Sequence, residues 1–160
     1  MKYFLDTEFI EDGNTIDLIS IGIVAEDGRE LYCVNQDAKL HLASDWVRQN
    51  VLSHLPKYDS SLWMKKAKIK TDLWYFTKSY ESKPNIEFWG YYSDYDWVAL
   101  CQLFGTMMDL PETFPKFCMD LKQLSVMKGS PKHPKQIGTE HNALEDARWN
   151  KDLYDYLIKL

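Results

Sequence analysis

Two turn signals divide residues 3–35 into three strand-like runs, and no other stretch limits the fold as much. The first run, Tyr3-Phe4-Leu5-Asp6-Thr7-Glu8-Phe9, is apolar except for the acids at its centre. Glu11-Asp12-Gly13-Asn14 follows as a turn signal. Ile16 to Val24 is rich in β-branched residues, and Gly22 within it marks a bulge or a close backbone approach. Asp27-Gly28 is a hairpin turn, and Glu30 to Asn35 is the third run. Three strands in succession predict an antiparallel meander.

The pattern then changes period. Ser44 has the character of a helix N-cap, with Val47, Val51, Leu52 and Leu55 on one face and Pro56 as the stop. Helical spacing of Leu62, Lys66, Ile69, Leu73 and Phe76 predicts a second helix from Ser60 to about Tyr80, broken at Pro84. Ile86 to Tyr91 reads as a fourth strand, and Asp94 to Phe104 as a helix closed by Gly105. Lys116 to Met119 reads as a short fifth strand, and Leu121 to Lys128 as a short helix. A loop rich in Pro and Lys runs from Gly129 to Gly138, and the last helix from Asn142 to Leu160. The order predicts an α/β fold: a mixed five-stranded sheet, antiparallel at first and then parallel, flanked by helices. Ribonuclease-H-like domains have this order.

At 160 residues, with 45% hydrophobic and 14% aromatic content, the chain suits one domain with a real core, residues 1–160. A net charge of −5 argues against coating long nucleic acid by phosphate neutralisation. It leaves room for an enzyme that grips a few nucleotides through bound metal. The basic runs, Lys65-Lys66-Ala67-Lys68-Ile69-Lys70 and Lys128, Lys132 and Lys135, are either solvated surface or tracks for a phosphate backbone. Cys33, Cys101 and Cys118 are widely spaced and odd in number, which fits buried reduced thiols. Asp6 and Glu8 fall where a secretory signal needs an apolar core, and no run approaches membrane-spanning length. A cytoplasmic protein without a membrane partner is expected.

Residues two apart in a strand share a face, so Asp6 and Glu8 stand side by side with Phe4, while Leu5 and Thr7 take the other face. Adjacent carboxylates in an apolar strand repel and lose hydration. Alone, the pair is either a divalent-metal site or a strand end at which both acids reach water. Asp94-Tyr95-Asp96-Trp97 opens a helix after the fourth strand. Acids there are dipole partners or caps, or they line the crevice at the strand ends of an α/β sheet. His141 precedes the last helix and Asp146 lies a little over one turn inside it. Taken singly they are a surface histidine and a solvated acid.

The joint pattern is more specific. D-x-E on the first strand, Asp after a Trp/Tyr-rich fourth strand, and H-x-x-x-x-D on the last helix are the three motifs of the DEDDh exonucleases. The chain resembles that family from end to end, above all its compact single-domain 3′–5′ exoribonucleases of the polyadenylate-specific type. The stretch from Trp89 to Gly105, with Tyr95-Asp96-Trp97-Val98 and Leu100-Cys101-Gln102-Leu103 within it, is similar to that group's second motif. Cys118-Met119-Asp120-Leu121-Lys122-Gln123 is similar to another of its elements. Many exonucleases have H-N-x-x-F-D at the second motif, whereas this chain has Ser93-Asp94-Tyr95-Asp96. Alignment on the aromatic–Asp pair favours Asp96 over Asp94.

The resemblance implies a ribonuclease-H-like fold and two Mg²⁺ ions, with Mn²⁺ as a substitute. It implies Asp6 bridging both ions, Glu8 and Asp146 on the first, Asp96 on the second, and His141 as general base. Four acids and no cysteine ligand suit Mg²⁺, and paired ions suit attack on a phosphodiester. Thr7, Phe9, Tyr92 and Trp97 are the expected substrate contacts, with Tyr91 and Trp149 near by, because stacking holds any base without reading its sequence. Phe88 and Trp89 are expected in the core. The expected activity is release of nucleoside 5′-monophosphates from the 3′ ends of single-stranded nucleic acid, with RNA favoured by the resemblance. The alternatives are the same reaction on DNA, or a nucleotide- or RNA-binding module of weak turnover. A homodimer is implied by the family as well.

Overall fold

The computed structural model describes residues 1–78 and 85–160. Strands β1 (Lys2–Glu11), β2 (Ile16–Ala25) and β3 (Glu30–Asn35) form the expected antiparallel meander. Its turns follow from side-chain chemistry. The Asp12 carboxylate accepts the backbone N–H groups of Asn14 and Thr15 at 2.9 and 2.6 Å, and Gly13 takes a φ of 84°. A short helix α1 (Asp45–Asn50) follows, capped by Ser44, whose hydroxyl accepts from the Val47 N–H at 3.2 Å.

The rest of the chain alternates: β4 (Trp63–Met64), α2 (Lys66–Thr77), β5 (Glu87–Gly90), α3 (Asp94–Phe104), β6 (Met119–Asp120), α4 (Leu121–Met127) and α5 (Ala143–Leu157). The sheet order is β4-β3-β2-β1-β5-β6, with β4 parallel to β3, β5 parallel to β1 and β6 parallel to β5. Among the described residues the sheet therefore has six strands, not the expected five. The additional one is β4, at the start of the stretch expected to be helical from Ser60. Trp63 pairs with Val34 and is held by its indole N–H, which donates to the Pro56 carbonyl at 3.0 Å. Helix α2 begins only at Lys66, and the expected end at Tyr80 and break at Pro84 lie outside the described residues. The short strand expected at Lys116–Met119 is shifted to Met119–Asp120, with Phe117 exposed.

Helices cover both sheet faces. On one, Leu5, Ile21, Ile23 and Cys33 pack with Ile69 and Leu73 of α2, Leu100 of α3 and Phe88 of β5. On the other, Phe4 meets Tyr154 of α5 at 5.2 Å, and Leu153 and Leu157 pack with Leu121 of α4. Each such aliphatic side chain contributes roughly 1.5–3 kcal/mol by leaving water.

Three local features set up the region around Asp6. First, Gly22 lies directly beneath the start of α5: a Cβ there would stand 2.2 Å from the Ala143 carbonyl oxygen. Glycine is needed for that close approach, which brings α5 down onto β2 beside β1. Second, Glu8 faces Ser20 but Phe9 faces Leu18, so Ile19 is an extra residue in β2. The bulge is at Ile19, not Gly22, and Ile19 packs with Ile10, Ala43 and Val51 beneath α1. Third, β5 pairs with β1 only as far as Phe4↔Trp89. Beyond that point side chains serve the freed edge of β1. The Asn150 amide donates to the Leu5 carbonyl at 2.8 Å, and the Thr7 N–H donates to Asp96 at 2.9 Å. Buried backbone groups require such partners.

Candidate active site

The gap between β1 and β5 is where the acids converge. Asp6 and Glu8 project from one face of β1, and α5, seated on Gly22, brings Asp146 to them. One oxygen from each of these three carboxylates lies within 4.8 Å of the others. Burial pushes the Asp6 carboxyl well above the usual range, and the charges of Asp96, Asp146 and Glu8 push it further. Glu8 is raised to about 8, by burial first and then by Asp146 and Asp96. Both shifts have one origin: negative charge gathered where water is scarce.

Asp96 reaches the same place from the first turn of α3. It is 6% exposed, and its Oδ1 accepts from the Thr7 hydroxyl at 2.6 Å and the Thr7 N–H at 2.9 Å. Burial raises it to about 6, with the two Thr7 bonds pulling in the opposite direction. Asp94 is exposed on the outer side of the same turn. The start of α3 is tied down by Asp120, whose Oδ2 accepts the Ser93 N–H at 2.9 Å while its Oδ1 caps α4 at Gln123.

Asp146 is raised by burial and restrained by a hydrogen bond from the Gln136 amide, the His141 charge and the backbone N–H groups of His141 and Asn142. Asn142 is the N-cap of α5, accepting from Leu144 and Glu145 at 3.2 and 3.3 Å. His141, one residue earlier, has a φ of 62°, in the left-handed region that is uncommon for a residue with a Cβ. Its ring meets Trp46 of α1 edge to face, with centroids 4.9 Å apart and planes at 76°. Asp6, Asp146 and His141 line a cleft of about 190 Å³, with Tyr91 and Trp149 as its aromatic wall and Gln136 beside Asp146. The loop bearing Gln136 is anchored on that wall, because the Trp149 indole N–H donates to the Pro134 carbonyl at 3.0 Å.

The structure thus brings together Asp6, Glu8, Asp96, Asp146 and His141. The expected substrate contacts divide. Phe9 stacks on Tyr95, with centroids 5.6 Å apart and planes at 16°. Tyr92 is 62% exposed. Trp97 does not reach the cleft: it is 9% exposed and packs on Phe88 in the core, so its ring offers no platform for a base. The Thr7 hydroxyl is already engaged by Asp96, which makes Thr7 a support for that acid rather than a free contact. Phe88 is fully buried as expected, and Trp89 packs edge-on against Tyr154. Sequence reasoning missed Gln136, Asn150 and Trp46. Gln136 and Asn150 have no pattern to betray them. Trp46 had one: a large aromatic off the apolar face of its helix.

The model of the 3′–5′ exoribonuclease Rv2179c-like domain matches residues 1–158. The chain belongs to this family. Among curated proteins it is 49% identical over 148 residues to the 3′–5′ exoribonuclease Rv2179c of Mycobacterium tuberculosis (strain ATCC 25618 / H37Rv), covering 92% of this chain and 88% of that protein. Among solved structures it is similar to Pop2p of S. pombe in a Mg²⁺- and Mn²⁺-bound form, with a TM-score of 0.66 at 15% identity, over 98% of this chain and 82% of that one. Cell-death related nuclease 4 is similar with a TM-score of 0.55 at 13% identity, over 99% of this chain and 63% of that one. At these identities the two structures bear on the fold alone. They share a mixed sheet flanked by helices, antiparallel at first and then parallel, as the element order had suggested. No helix among the described residues is long and apolar enough to cross a membrane.

Proposed function

We propose that this member of the family is a DEDDh-type enzyme that shortens single-stranded RNA from its 3′ end, releasing nucleoside 5′-monophosphates. One observation carries the reading. Asp6, Glu8 and Asp146 converge within 4.8 Å, and burial with mutual repulsion pushes Asp6 and Glu8 upward, so the cluster calls for a cation at neutral pH. The donors are all carboxylate oxygens, which fits hard Mg²⁺ or Mn²⁺. Asp6, Glu8, Asp96 and Asp146 would hold two such ions. When bound, these would supply charge neutralisation at the phosphodiester and a water of lowered pKa.

The chain's own residues do the rest. Thr7 fixes one oxygen of Asp96, and Gln136 one oxygen of Asp146. His141, which lines the cleft, accepts the proton of the attacking water. Tyr91 and Trp149 on the wall, with Phe9, Tyr95 and Tyr92 outside it, offer rings on which terminal bases stack without being read. The preference for RNA is supported by the family and by the name of the mycobacterial relative. A homodimer belongs to the same reading and rests on the resemblance, while a cytoplasmic setting rests on the three widely spaced free cysteines.

The test uses 5′-labelled single-stranded RNA and its DNA counterpart, each with Mg²⁺ and with EDTA. Stepwise shortening of RNA with Mg²⁺, and none in EDTA, is expected. Faster shortening of DNA would reassign the substrate, and binding without shortening would make the chain a nucleic-acid-binding module.

A further inference from the structure

His141 has a backbone set by its surroundings and an imidazole that no hydrogen bond from the described residues aims, with the Asp146 charge as its polar neighbour. Its backbone is set by the left-handed φ of 62° and by the Asn142 cap that follows. Among the described residues, none hydrogen-bonds either nitrogen of its ring. Histidines that move protons or bind metals ordinarily have one ring nitrogen anchored so that the other is aimed. Here the ring's direct neighbour is aromatic: Trp46, 4.9 Å away and nearly perpendicular.

Trp46 is oddly placed for a tryptophan. It is 54% exposed, on a helix whose apolar residues, Val47 and the following Val51, turn toward Ile10 and Ile19. Core packing does not account for it. Its helix is nonetheless firmly seated, because Val51 and Ala43 pack on Ile19, the extra residue of the β2 bulge beside Glu8. A rigid path therefore runs from the acid-bearing strands through the bulge and α1 to the indole that touches His141.

We propose that Trp46 is a positioning residue for His141: its indole restrains the imidazole in place of the missing hydrogen bond. The proposal rests on His141 as the proton acceptor. A displaced general base costs rate rather than substrate affinity, and small misplacements cost up to about 10²-fold.

A double-mutant cycle tests it, with kcat and KM measured on 5′-labelled single-stranded RNA at saturating Mg²⁺. Trp46→Ala is expected to lower kcat about tenfold with KM little changed. Added to His141→Ala, it should cost almost nothing more, because the group it positions is gone. Trp46→Phe should recover most of the rate. Independently, in protein labelled at its four histidines, the carbon-bound ring protons of His141 should show a ring-current displacement that Trp46→Ala abolishes and Trp46→Phe partly keeps. This spectrum needs no activity, and the Phe variant serves if the Ala variant folds poorly.

A Trp46→Ala loss that appears in KM and persists undiminished beside His141→Ala would mean that the indole grips the nucleotide. The proposal would then fail while His141 kept its role. A His141→Ala enzyme of near-normal rate would remove the proton acceptor, and the proposal with it. An unchanged ring spectrum in Trp46→Ala would overturn the contact itself.

Discussion

Asp94 and Asp96 are two residues apart and have opposite surroundings. Asp96 is buried against Thr7, whereas Asp94 faces solvent. Sequence alone left both open and the aromatic neighbour tipped the choice; the burial of Asp96 gives a physical reason for it. Asp96→Asn keeps the shape and an oxygen that can accept from Thr7 but removes the charge, so kcat should fall by at least about 10²-fold, the scale of losing one preorganised electrostatic partner. Asp94→Asn should remain close to the parent, and single-turnover rates on labelled RNA decide between them. His141→Ala should slow hydrolysis roughly 10²–10⁴-fold without unfolding the protein. Glu8 gives a pH prediction with a definite sign. Unfolded, its carboxyl titrates near about 4.3, but folded it holds its proton to about 8. Between those values the folded state binds the extra proton, so metal-free stability falls as pH rises and levels off above the folded value. Melting temperatures in EDTA should drop from pH 5 to pH 8. Saturating Mg²⁺ should raise the melting temperature and flatten that drop, because the ion binds the folded state and replaces the proton. A flat profile in EDTA would contradict the crowded acids.

Elements were legible where they were long and punctuated. β1 to β3 follow from alternation and Gly turns, and α3 matches its expected span, Asp94–Phe104. Of the two-residue strands, β6 was legible but misplaced by three residues at its start, and β4 was missed, because a pair such as Trp63–Met64 is too short to show a period. It was absorbed into a helical spacing that had to count Lys66 as apolar. Gly22 was legible as an anomaly with two explanations, and only the packing of α5 decides between them. Gly22→Ala places a Cβ against backbone that cannot swing aside. Either α5 lifts or β2 bends, at a cost of about 1–3 kcal/mol or more. Because α5 carries Asp146, the variant should lose Mn²⁺ affinity as well as stability, whereas an ordinary overpacked core position would lose stability alone. Calorimetry with and without Mn²⁺ separates the two effects.

On the scale of the whole molecule, the site joins residues remote in sequence, and the sheet order explains why they meet. β1 is central, β5 runs parallel to it and then departs, and α3 and α5 deliver one acid each into the opening. The joint motif made that meeting legible, since each acid alone had an ordinary explanation. Gln136 could not be foreseen, because a loop residue reaches Asp146 only through an anchoring that involves Trp149 and Pro134. The departure of β5 also leaves the molecule with a reporter. In the middle of its central strand, one backbone amide, that of Thr7, is held by a carboxylate instead of a neighbouring strand. Its nuclear resonance and its exchange with heavy water should therefore respond to what enters the cleft. Titration with Mg²⁺ should displace the Thr7 amide signal far more than that of Tyr3 or Leu5 on the same strand. Ion entry could then be followed at a single atom of the unmodified chain, with no substrate present.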